Sequence, residues 1–80
     1  MTREELIVAF DMAKERKSGI CVEIAMPRQD AYERIVNAYP SLDNKLDYYL
    51  KAYDENLVHV MNSDIRIVDA YPCDYEIPRI

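Results

Sequence analysis

Apolar residues recur first at helical spacing and then in alternation, and each change of period marks a boundary between elements. Leu6, Phe10 and Ala13, with Ile7 and Ala9 beside them, repeat every three to four residues, the period of a helix that buries one face. Thr2 followed three residues later by Glu5 makes a capping box, and Lys14, Arg16 and Lys17 fall where cations favour the helix dipole. The pattern predicts a helix over 3–17, closed by Gly19, the chain's single glycine and a residue suited to a left-handed cap. Residues 20–26 then alternate, with Ile20, Val22, Ile24 and Met26 on one side and Glu23 on the other, as in a half-buried strand that Pro27 stops.

After the polar turn Arg28-Gln29-Asp30, residues 31–39 admit two readings, a short helix or a strand over 32–37. Tyr32, Ile35, Val36 and Tyr39 fit a short helix by spacing, but the run is short and carries a β-branched pair, which favours the return strand of a hairpin. From Ser41, a natural N-cap after Pro40, an apolar series runs through Leu42, Leu46, Tyr49, Leu50, Tyr53, Leu57, Val60 and Met61. It predicts a long helix over 41–61, with Asp47 and Lys51 spaced for an ion pair on its polar face. The alternative ends the helix at Asn56 and makes 57–61 a strand; continuity of the stripe favours the helix. Ile65 and Ile67 against Arg66 and Val68 mark a last strand over 65–71, ended by Pro72 and followed by an irregular tail over 72–80.

These elements make one α+β domain over 1–80, in the order α-β-(β)-α-β. The expected architecture is a three-stranded, mostly antiparallel sheet with two helices packed on one face. Eighty residues build a single core and bury roughly 60% of the surface that the unfolded chain exposes. A half-apolar composition with 31% charged residues is that of a folding chain. No apolar run approaches the ~20 residues of a membrane span. The charged start and the two cysteines, Cys21 and Cys73, suit a cytoplasmic, reducing setting with free thiols.

Charge narrows the partners. Residues 1–40 hold seven acids and six bases and residues 41–80 eight and four, giving the net charge of −5 and a more negative second half. Such a chain is repelled by phosphate backbones and drawn to basic surfaces, so the expected partner is a protein with a basic face rather than nucleic acid. Catalysis has little to draw on. His59 is the one histidine, it stands among apolar neighbours, and the cysteines lie in no activating motif. Cys21, His59 and Cys73 are too scattered for a zinc site, and one glycine excludes glycine-rich phosphate loops. No cofactor, metal or catalytic residue is expected.

Tyrosine supplies seven of the eight aromatic residues. Tyrosine beside carboxylates suits a binding surface, since its ring offers contact area and its hydroxyl a hydrogen bond. The candidate partner-binding residues are therefore Asp43, Asp47, Tyr48, Asp54 and Glu55 on the long helix, with Asp69, Tyr71, Asp74 and Tyr75 near the end. The segment KLDYYLKAYDENLVHVMNSDIRIVDAY (45–71), a helix-then-strand pattern with Tyr-Tyr and Ala-Tyr-Asp-Glu, resembles small α+β proteins of phages and other mobile elements in Gram-positive bacteria. That resemblance implies continuation of the helix past Asn56. It also implies a setting in which small acidic proteins disable host nucleic-acid-targeting enzymes, as anti-CRISPR and anti-restriction inhibitors do. The functional expectation is a non-enzymatic inhibitor-type binding module whose partner is a basic protein such as a nuclease complex. The alternative is an assembly accessory acting as a homodimer through a sheet edge or helix face.

Overall fold

The capping box at the start of the chain forms in full. Thr2 Oγ1 accepts from the Glu5 N–H at 3.1 Å and Glu5 Oε1 accepts from the Thr2 N–H at 2.9 Å, launching α1 over Arg3–Arg16. The computed structural model describes residues 1–73. Lys17, not Gly19, takes the left-handed position that ends α1, with φ 53°. The Ser18 N–H then returns to the Ala13 carbonyl at 3.0 Å. Gly19 instead opens β1, Gly19–Ala25.

Residues 33–37 resolve as a strand. β2, Glu33–Asn37, pairs antiparallel with β1, placing Ile35 opposite Val22 and Val36 opposite Cys21. A 3-10 turn over Tyr39–Ser41 leads into α2, Leu42–Ala52. Ser41 does sit at the N-cap position, but its hydroxyl donates backward to the Ala38 carbonyl at 2.9 Å rather than capping α2.

The expected helix over 41–61 is corrected here: α2 stops at Ala52, and Tyr53 is extended. Asp54 ends it by offering the backbone other bonds. Its Oδ1 accepts from the N–H groups of Asn56 and Val58 at 2.8 and 3.0 Å, and its own N–H donates to the Val58 carbonyl at 2.8 Å. Aspartate competes with helix in this way because its short side chain reaches nearby amides. Leu57 keeps its place in the apolar core by another route, at φ 60° and fully buried. Val60 and Met61, read as part of the same stripe, stand exposed at the tip of a hairpin between β3, Val58–His59, and β4, Asn62–Cys73.

Among the described residues the sheet therefore has four strands, not three, in the order β2-β1-β4-β3 with every neighbouring pair antiparallel. β4 is longer than the expected 65–71 and runs through Pro72, so the irregular tail cannot begin at residue 72. α1 and α2 pack into one apolar cluster on one face, where Leu6, Phe10, Leu42 and Tyr49 meet Ile20, Val22, Ile24 and Ile67. Burial of each large side chain contributes roughly 1.5–3 kcal/mol, so this shared cluster, more than helix propensity, holds the layers together. Asn37 is the buried polar residue of the described core, and its Nδ2 donates to the Tyr49 hydroxyl at 3.3 Å.

Candidate protein-docking groove

α1 buries Leu6, Ala9, Phe10 and Ala13 beneath it, which leaves two flanks. Toward α2 the flank is closed. The Arg3 guanidinium donates to the Leu50 and Tyr53 carbonyls at 3.0 and 3.3 Å, satisfying the C-terminal end of α2. At the other end of α2, Lys14 pairs with Asp43 in its first turn. Toward β4 the flank is open. Val8 is 54% exposed and Met12 is exposed one turn on, with Met1, just ahead of the helix, exposed as well. With Ala70 and Pro72 of β4 as the floor, they line a groove of about 470 Å³, and Glu4, Glu5 and Asp69 form its acidic border.

The floor of the groove is a sheet edge. β3 pairs with β4 between Asn62 and Arg66, and the last bond on that side is the one the Ile67 N–H donates to the Leu57 carbonyl at 2.9 Å. Farther along β4, the Ala70 N–H is taken at 2.9 Å by Asp69 Oδ1, the side chain of the preceding residue. Pro72, two residues on and hence on the same side of the strand, has no N–H. A proline nitrogen turned toward β1 would remove a ladder bond, so both positions face the side of β4 that carries no strand among the described residues. This is why Pro72 does not end the strand.

The predicted binding residues fall into separate places. Asp47 and Tyr48 are exposed on the outer side of α2, where Tyr48 stacks edge-on to Tyr49 at 5.4 Å and lies under the Lys45 ammonium at 5.9 Å. Asp43 is bound to Lys14, the ion pair formed in place of the expected Asp47–Lys51 pair. Asp54 is committed to its loop, and Glu55 is exposed there. Asp69 and Tyr71 belong to the groove, but both are engaged internally: Asp69 holds the Ala70 amide, and the Tyr71 hydroxyl donates to Glu23 Oε2 at 2.6 Å across the sheet. The Cys21 thiol, and after it the Glu23 carboxylate, push the Tyr71 phenol above its ordinary value. Asp74 and Tyr75 lie outside the described residues.

Sequence reasoning missed Met1, Glu4, Val8, Met12, Ala70 and Pro72. A signal existed for the helix positions. Leu6 to Phe10 are five consecutive apolar residues, followed by Met12 and Ala13, an arc wider than the stripe of roughly 100° that a single core face needs.

Among the described residues, no group of three His, Cys, Asp or Glu side chains could hold a metal ion, and no helix is long and apolar enough to cross a membrane. His59 has a local part: its Nδ1 accepts the Met61 N–H at 3.1 Å and its ring meets Tyr53 edge-on at 5.1 Å. No family model, curated protein or solved structure matches the chain.

Proposed function

We propose that this chain is a non-enzymatic protein-binding module and that the groove between α1 and the free edge of β4 is its docking site. The observation that carries the reading is the set of exposed side chains Met1, Val8 and Met12 facing Ala70 and Pro72 within an acidic border. Apolar anchors inside a polar rim are the anatomy of an interface. The border, together with the net charge of −5, selects a partner whose apolar contact is flanked by Lys or Arg. A nucleic-acid-targeting enzyme, with its basic surfaces, is the partner class that this charge suits, which makes inhibition of such an enzyme the biological role we favour.

The test is a comparative capture. The tagged protein and its Val8→Glu/Met12→Glu variant are used as baits in a bacterial lysate containing nuclease-type defence complexes, at low and at raised salt. A basic protein retained by the parent, lost from the variant and weakened by salt is the expected result. Equal recovery by both baits would remove the groove from the interface, and recovery of the bait alone would favour self-assembly.

A further inference from the structure

We infer that the groove takes an amphipathic α-helix with basic flanks and rejects an extended strand; this rests on the docking reading above. A free sheet edge beside an apolar stripe ordinarily invites a strand, because main-chain hydrogen bonds then supply the affinity. Here the edge lacks what a strand needs. The Ala70 N–H is already bonded to Asp69 Oδ1, and Pro72 has none to give. An incoming strand would leave its own carbonyls without donors opposite both positions, and a buried carbonyl without a partner is costly.

A helix makes no such demand, because its backbone bonds are internal. It needs an apolar surface to lie on, and Val8 and Met12, about one turn or ~6 Å apart on α1, supply it together with Met1 just before the N-cap. Methionine at both ends adapts to varied side-chain shapes. Glu4, Glu5 and Asp69 stand where the flanks of such a helix would pass, so Lys and Arg beside its apolar stripe meet opposite charge. Arg3 and Lys14 are turned to α2 and bonded there, which keeps their charge from the groove border.

The experiment uses two synthetic leucine–lysine peptides of identical composition and length, one written with helical period and one with strict alternation. Each is titrated into the isotope-labelled full chain while backbone amide resonances are followed. The helical peptide is expected to move the amides of Val8, Met12 and Tyr71, and Val8→Glu/Met12→Glu to weaken it about tenfold through loss of apolar contact. Because that variant is more acidic, weaker binding of a cationic peptide cannot be a charge effect. Its amide spectrum away from the groove checks its fold.

Tighter binding of the alternating peptide at residues 69–73 would overturn the helix inference while leaving the docking site standing. If neither peptide moved the groove amides, or if the variant bound both as the parent does, the docking reading would fall as well. A second variant, Asp69→Ala/Pro72→Ala, restores two edge donors and is expected to gain affinity for the alternating peptide. No gain would remove the edge chemistry from the explanation and overturn the inference.

Discussion

The two flanks of α1 are built from the same helix yet differ in how they end. Against α2, polar groups close the seam at both ends, with Arg3 on the carbonyls of Leu50 and Tyr53 and Lys14 on Asp43, while Phe10 and Tyr49 meet between them with ring centroids 6.1 Å apart. Against β4 the apolar side chains simply continue outward to Val8 and Met12 and remain in water. A closed seam stabilises the fold. On the docking reading proposed above, the open one keeps its apolar contact for a partner.

The contrast can be broken most severely from the closed side. Phe10→Ala should cost ~3–5 kcal/mol, since Phe10 is fully buried and its neighbours can collapse only in part. Chemical denaturation of the variant checks this. Arg3→Ala should cost ~1–2 kcal/mol, less than a fully buried charged bond because the side chain is partly exposed; Arg3→Lys should recover only a fraction, since an ammonium lacks the fork that spans both carbonyls.

Alkali should loosen the same side. Burial pushes Tyr53 up to about 12 and raises Tyr49 as well, whereas a tyrosine in an unfolded chain ionises near ~10. Between those values the unfolded chain alone gives up the proton. This contribution to stability is therefore whole below pH ~10 and is lost as pH rises through about 12. Urea midpoints measured at about pH 9 and about pH 11 should show the fall, and Tyr53→Phe should reduce it. The smallest effect belongs to the open flank. Val8→Glu/Met12→Glu should change stability by less than ~0.5 kcal/mol per site, even as it weakens peptide binding about tenfold. A large loss of thermal stability in that variant would show the flank to be part of the core.

Local chemistry made much of this readable in advance. Thr2 and Glu5 announce α1, and the alternation of Ile20, Val22 and Ile24 identifies both β1 and its inward face. The end of α2 was hidden because Leu57 stays in phase with the helical stripe while reaching the core at φ 60° through bonds made by Asp54. Periodicity records which residues are buried but not the path of the backbone between them. Pro72 misled for a related reason. Whether a proline stops a strand depends on what lies beside it, and β4 has no described strand on that side beyond Ile67. Of the groove, Asp69 and Tyr71 stood out by composition. Val8 and Met12 did not, because apolar residues in a helix are first assigned to its core.

The hydroxyl that joins Tyr71 to Glu23 also gives the molecule an internal reporter. Tyr71 stands opposite Cys21 in the register of β1 and β4, and that thiol is only 5% exposed. In a Cys73→Ala variant, where Cys21 is the one remaining cysteine, the rate of labelling by a thiol-specific reagent measures how often the cover over Cys21 opens. A ligand that seats along β4 should slow that reaction, making the rate of a single chemical modification a readout of occupancy.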